Sequence, residues 1–224
     1  MKSLVIGAGQ IGTAIATVFE CDAIDKGEKA DSKQYDILHI CIPYSEEFID
    51  TVKEYQFKYG PQYTVVHSTV PVGTCSELEA VHSPVLGIHP HLEQGVRTFT
   101  KFLGGKHASE VADYFRRAGL TIYIFDKSET TELMKILDTT FYGLCIEYTK
   151  DVKKQCHDFD VPFEAWTLWT NNYNDGYVKL GHPEYVRPNL VPIMQNIAGH
   201  CVLPNAELLV TPFTQFLKKR NNGR

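Results

Sequence analysis

The sequence predicts an α/β fold: a doubly wound parallel sheet followed by a smaller all-helical domain. Three observations carry that prediction. Short apolar runs alternate with amphipathic stretches from residue 1 to about residue 126, the pattern of strands joined by crossover helices. The first of those runs opens directly into a glycine-rich turn and a helix. From Ser128 to Phe159 one helical pattern then continues with no proline and with Gly143 as its only glycine. The domain division is accordingly placed at 1–126 and 127–224.

The first element is justified by Leu4, Val5 and Ile6, an apolar run that ends at Gly7, Gly9 and Gly12 in a G-x-G-x-x-G pattern. Ile11, Ala14, Ile15, Val18 and Phe19 follow at helical spacing. A strand before and a helix after give the glycines meaning, as the dinucleotide-binding turn of a Rossmann-type sheet. Gly7 allows the tight turn, Gly9 lets a pyrophosphate approach the backbone, and Gly12 packs helix on strand. Gln10 and Ile11 open the helix, whose N-terminus offers amides and a positive dipole end to phosphate. Residues 21–25 form a second strand ending in Asp25. A carboxylate there accepts bonds from both ribose hydroxyls and repels a 2′-phosphate, which favours NAD over NADP. Lys26 and Lys29 weaken that discrimination, and a plain turn aspartate is the competing reading.

Residues 36–42 are almost continuously apolar, as in a parallel strand covered on both faces, and Pro43 ends them at the cofactor edge. Residues 48–55 suit a helix, 63–67 a strand, 85–89 a short strand, and 121–125 the last strand. A helix over 111–118 is stopped by Gly119. In the long helix, Leu133, Leu137, Phe141, Leu144, Tyr148 and Val152 form one stripe over about 45 Å. A stripe that long needs a large partner surface, so a homodimer is expected. Residues 161–216 read as short helical pieces between Pro, Asn and Gly clusters.

The net charge of −5 argues against a nucleic-acid partner. No apolar stretch is long enough to span a bilayer, so no membrane role is expected. Lys2 before an apolar run superficially resembles an export signal, but glycines and Gln10 interrupt it. Six cysteines without C-x-x-C spacing suggest reduced thiols in a cytoplasmic protein.

The 68–74 loop, S-T-V-P-V-G-T, follows a strand at the end where open α/β sheets place ligands. Ser68 and Thr69 can contact the nicotinamide ribose, the carboxamide or a substrate water. Thr74 with Glu77 also reads as a capping box. Lys135 and Thr139 lie one turn apart, off the apolar stripe. A lysine facing a cleft can hold a developing alkoxide, although on spacing alone a solvated lysine is the commoner outcome. Cys201, beside His200 and Gly199, is a candidate thiolate nucleophile, set against the commoner fate of a buried inert cysteine. His89 and His91 are candidates for a base or a substrate contact, set against simple turn residues. Arg187 is a candidate anion contact. No metal site is expected, because no third ligand stands at recognisable spacing.

Taken in order, the 7–12 turn, the 68–74 loop, Glu132-Leu133-Met134-Lys135 and Gly199-His200-Cys201 resemble one family. They are collinear with motifs of the nucleotide-sugar dehydrogenases, the group of UDP-glucose and GDP-mannose dehydrogenases within the 6-phosphogluconate-dehydrogenase-like superfamily. The resemblance implies NAD-dependent oxidation of a sugar primary alcohol in two hydride transfers. Lys135 matches the family's active-site lysine and Cys201 its nucleophile. Thr139 stands where the family has Asn, Asn205 where it has Asp, and Ala198 where it has Gly. His89-Pro90-His91-Leu92-Glu93 replaces its N-P-E segment, and a C-terminal nucleotide-sugar domain is not expected in this chain. The leading expectation is a dehydrogenase acting on a small polar substrate. Its rivals are a two-electron hydroxy-acid or alcohol dehydrogenase with a structural Cys201, and a non-catalytic NAD-binding module.

Overall fold

The computed structural model describes residues 1–31, 34–193, 195–199 and 201–222. The chain forms two compact units, Met1–Lys135 and Ile136–Arg224.

The first unit holds seven strands and the helices between them. In chain order they are β1 (Ser3–Ile6), α1 (Gln10–Phe19), β2 (Asp22–Ile24), β3 (Ile37–Ile40), α2 (Phe48–Tyr59), β4 (Tyr63–Val66) and α3 (Thr74–Glu77). Then come β5 (Val81–His82), α4 (Leu92–Thr98), β6 (Lys101–Gly104), α5 (Ala108–Arg117) and β7 (Ile122–Phe125). The sheet order is β2-β1-β3-β4-β5-β6-β7. Strands β1 to β5 are parallel, β6 runs antiparallel to β5, and β7 parallel to β6. This is the doubly wound sheet expected. The alternation of side chains explains why its strands read as unbroken apolar runs. Val5, Ile37 and Val65 pack on one face against Ile15, Val18, Val111 and Phe115. Leu4, Ile6, Leu38, Ile40 and Val66 pack on the other against Phe48, Val52 and Leu78.

Two expectations for this unit fail. Residues 85–89 are not a strand; the paired segment is β5, four residues earlier. Pro84 has no N–H to give a ladder, so pairing stops before it. Strand β6 was not expected at all. Its leading Lys101 reads as a solvated residue, yet it is 2% exposed.

Helix α6 (Ser128–Asp158) begins in the first unit and continues through the second as one 31-residue helix, as expected. The second unit continues with α7 (Phe163–Lys179), a short 3₁₀ turn (Pro183–Tyr185), α8 (Val202–Glu207) and α9 (Pro212–Asn222). Helix α7 corrects the expectation of only short pieces after residue 161; its 17 residues carry Gly176 without a break. The unit's core is small: Ile146, Ile197, Val202 and Leu217. Gly143 makes it possible, since a Cβ there would stand 2.5 Å from Val202 Cγ1 and 2.9 Å from Leu217 Cδ1. The buried side of α6 is therefore the row of Ile136, Thr139, Thr140, Gly143, Ile146 and Lys150. Leu137, Phe141 and Tyr148, three members of the expected stripe, are exposed.

Candidate functional site

The strand order turns back between β2 and β3, with β1 in the middle, so a crevice opens at their carboxyl ends. Gly7 N–H donates to Ile24 O (2.8 Å), Cys41 N–H to Ile6 O (2.8 Å), His67 N–H to Ile40 O (2.8 Å) and Ser83 N–H to Val66 O (2.8 Å). These bonds align the residues that follow each strand along one rim.

The glycine turn sits on that rim. Gly7 has φ +98°, and a Cβ on it would stand 2.9 Å from the Cys41 backbone. A Cβ on Gly12 would stand 1.7 Å from Gly7 O, so only glycine lets α1 come this close to the turn. A Cβ on Gly9 would meet nothing within 4 Å. Gly9 and Gln10 are exposed and Ile11 is half-buried. The first-turn amides of a helix have no intrahelical acceptor, and here they belong to Gln10, Ile11 and Gly12. An open backbone beside such amides fits a pyrophosphate.

Asp25 follows β2 and is exposed. Its Oδ1 accepts the Lys26 N–H (3.0 Å) and its own N–H donates to Glu28 Oε2 (2.8 Å). The carboxylate therefore also orders the turn. Pro43 is exposed just beyond β3. Ser68 Oγ donates to Ile42 O (2.5 Å), which brings the 68–74 loop beside Pro43, and Thr69 is half-buried next to it.

The expected capping box at Thr74 does not form. Thr74 is the first helical residue of α3 rather than its cap, and its hydroxyl donates to Pro71 O (2.8 Å). The start of α3 is capped from a distance. Glu132, on α6 and fully buried, accepts the Gly73 N–H at Oε2 (2.6 Å) and the Cys75 N–H at Oε1 (2.8 Å). The Cys75 thiol is pushed well up by burial and by that carboxylate. Lys135, one turn further along α6, is half-buried, and its charge acts on both His82 and Lys101.

Behind the rim lies a buried polar chain that sequence reasoning missed. Lys101 Nζ donates to Ser83 O (2.9 Å) and Pro84 O (2.7 Å). His67 Nδ1–H donates to the same Ser83 carbonyl (2.8 Å), leaving Nε2 to accept from His39 Nδ1–H (2.9 Å). A carbonyl can only accept, so both tautomers are fixed. His39 Nε2 has no partner among the described residues and lies among Phe19, Tyr114 and Phe115. Burial, with help from the Lys101 charge, holds His39 down to about 3 and His67 well below its ordinary value. His82 is likewise held at about 3, chiefly by burial, and Lys101 falls to about 7 for the same reason. The one local signal was a histidine inside each of two apolar strands, in 36–42 and 63–67.

The remaining candidates are placed as follows. His89 and His91 are exposed in the first unit, His91 just before α4. In the second unit Cys201 is exposed immediately before α8, so it is not a buried thiol. His200 lies outside the described residues. Thr139 and Asn205, both departures from the family pattern, meet: Asn205 Nδ2 donates to Thr139 Oγ1 (3.3 Å), and both are buried. Arg187 stacks on Tyr173, 3.6 Å from its ring centre, and Nη2 donates to the Tyr173 hydroxyl (2.6 Å). Asn174 holds the Arg187 backbone through both N–H and C=O (2.9 Å each). Among the described residues no group of three metal-ligating side chains converges, and no helix is long and apolar enough to cross a membrane.

No protein-family model matches the sequence, and no curated protein matches it. Solved structures do. A UDP-D-ManNAc dehydrogenase from Pyrococcus horikoshii superposes with a TM-score of 0.79 at 14% identity, over 99% of this chain and 68% of that one. The UDP-N-acetyl-mannosamine dehydrogenase Cap5O from Staphylococcus aureus gives 0.70 at 15%, over 100% of this chain and 68% of that one. A 3-hydroxyisobutyrate dehydrogenase from Mycobacterium tuberculosis gives 0.70 at 10%, over 100% of this chain and 93% of that one. At these identities the likeness is one of fold: a Rossmann-type sheet followed by a helical region, shared with these dehydrogenases.

Proposed function

We propose that the chain is an NAD-dependent dehydrogenase that oxidises an alcohol of a sugar, nucleotide sugar or related polar metabolite. One observation carries the reading. The 7–12 turn is open at Gly9 and sits on the rim where the strand order reverses, with the 68–74 loop on the same rim beside Pro43. The likeness of fold to structures named as sugar and hydroxy-acid dehydrogenases supports it.

When bound, the dinucleotide takes up the hydride that leaves the substrate carbon. The chain's own residues do the rest. The amides of Gln10, Ile11 and Gly12 hold the pyrophosphate, and Asp25 takes the adenosine ribose and disfavours a 2′-phosphate. Ser68 and Thr69 position the nicotinamide side. Lys135 holds the substrate hydroxyl and stabilises negative charge on its oxygen as the hydride departs. Thr139 stands one turn away. Cys201 Sγ would add to the aldehyde carbon to give a thiohemiacetal. Loss of a second hydride to a second dinucleotide, with the hydroxyl proton going to water, would leave a thioester, which water would hydrolyse to the acid and the free thiol. His89, His91, His200 and Arg187 serve the substrate side. The functional division is placed at 126/127, with α6 opening the substrate half while its N-terminal end also holds the 68–74 loop. The exposed ridge of Leu137, Phe141 and Tyr148 is the surface on which a second copy docks. Six free thiols suit a reducing cytoplasm.

Calorimetric titration with NAD and with NADP tests this reading. Saturable NAD binding, at least about tenfold tighter than NADP, is expected; binding of neither overturns it. Counting NADH formed per substrate molecule across a panel of sugars, nucleotide sugars and hydroxy acids then tests the thiol. Two equivalents support the Cys201 step, and one removes it.

A further inference from the structure

Glu132 is a buried carboxylate whose two oxygens are both spent on backbone amides, 59 and 57 residues away in the sequence. Those amides, of Gly73 and Cys75, close the 68–74 loop and start α3. A second tie lies at the other end of the loop. His82 Nε2–H donates to Ser68 O (3.2 Å), and its Nδ1 meets the Thr131 hydroxyl (2.8 Å). Thr131 and Glu132 are consecutive on α6. The loop is thus gripped at both ends by one turn of one helix, and Lys135 stands on the next turn.

Charge-assisted bonds from backbone N–H to carboxylate are short and about twice as strong as neutral ones. They are also directional, so they fix where the loop's hydroxyls lie relative to α6. A structural cap was already available locally, because Thr74 and Glu77 have capping-box spacing, yet Thr74 bonds Pro71 instead.

We infer that Glu132 is a positioning residue for the nicotinamide half of the dinucleotide site: it holds the 68–74 loop in register with the turn of α6 that carries Lys135. This rests on the dehydrogenase reading, and it assigns Glu132 no contact with cofactor or substrate. Loosening Glu132 frees the Gly73–Cys75 end of the loop that carries Ser68 and Thr69, and leaves the glycine turn and Asp25, which it does not bond, in place. Its effect therefore falls on the nicotinamide riboside, the part of the ligand that ADP lacks.

The test compares NAD with ADP by calorimetry on the full chain and on Glu132→Gln. The amide keeps the size of the side chain but presents an NH2 group to one backbone N–H. The expected result is a loss of NAD affinity of at least about tenfold with ADP affinity changed less than about twofold. Should Glu132→Gln fail to fold, Glu132→Asp carries the same test, since it keeps the charge but withdraws it by one methylene. Equal losses for both ligands, or no loss for either, overturn the inference while leaving the dehydrogenase reading intact. A parent chain that binds neither ligand overturns the dehydrogenase reading, and the inference with it.

Discussion

In the first unit, apolar side chains from α1, α4 and α5 cover one face of the sheet and those from α2 and α3 cover the other. In the second, the buried apolar cluster is Ile146, Ile197, Val202 and Leu217, while Trp169 is 70% exposed and Phe141 58%. The first unit closes its own core and even has room for polar groups inside it. The second buries the ion pair of Glu147 with Lys150 (2.6 Å), lets the partly exposed Arg220 reach the same carboxylate (3.3 Å), and leaves large apolar side chains outside. Large exposed apolar side chains are the material from which a docking surface is built. The contrast is between a sheet covered on both faces and a helical unit whose buried apolar cluster is small.

The harshest way to break the comparison is Gly12→Val. Its side chain would occupy the space of Gly7 O, so the first unit should lose about 3 kcal/mol or more. Urea denaturation and NAD calorimetry check this, and a stable variant that still binds NAD would count against the packing described.

Acid comes next. His39, His67 and His82 are neutral when folded and have ordinary affinity for protons when unfolded. The unfolded state therefore binds more protons below pH 6.5. Stability is fully present above that value and is lost as pH falls toward about 3, at up to about 1.4 kcal/mol per pH unit for each histidine. Lys101, lowered to about 7, acts in the same direction between about 7 and 10.5, where stability rises with pH. Denaturant titrations at pH 8, 7, 6 and 5 should show this slope, and His39→Phe should flatten it at the acid end. A flat profile in the parent chain would mean that these imidazoles are not held neutral.

On the helical side, the docking ridge proposed above predicts that Phe141→Glu weakens self-association by about 2 kcal/mol or more while leaving each copy folded, and a parent chain that is monomeric overturns that ridge. Sedimentation velocity reads the mass, and an unchanged dimer would move the interface elsewhere. The smallest effect is expected at Phe57, which is 95% exposed on α2 and belongs to no apolar patch in the comparison above. Phe57→Ser should change stability by less than about 0.5 kcal/mol, and a large loss there would erase the distinction between a lone exposed ring and a docking face.

What the sequence disclosed follows from how far apart the interacting groups lie. The 7–12 turn was legible because strand, glycines and helix are contiguous, and the close approach of Gly12 to Gly7 is local. Helix α6 was legible almost to the residue, because nothing inside it interrupts the pattern. Its buried side was not. The apolar stripe through Leu137 and Phe141 is the more hydrophobic ridge, but Gly143 and the small threonines let other helices approach the opposite one. Strand β5, only two residues long, was masked by the longer apolar run after it. Glu132 could not be read at all, since its partners are remote and a nearer capping pattern competed. The same holds for Lys101, whose carbonyl partners become neighbours only across the sheet.

The imidazole chain also separates seven of the histidines by chemistry. His39, His67 and His82 are sealed from solvent, whereas His89, His91, His157 and His182 stand in it. A water-soluble acylating reagent would label the second set at once and leave the first untouched. The sealed rings would react only in molecules that have opened. The number of labelled histidines is thus a built-in clock for how often the sheet breathes.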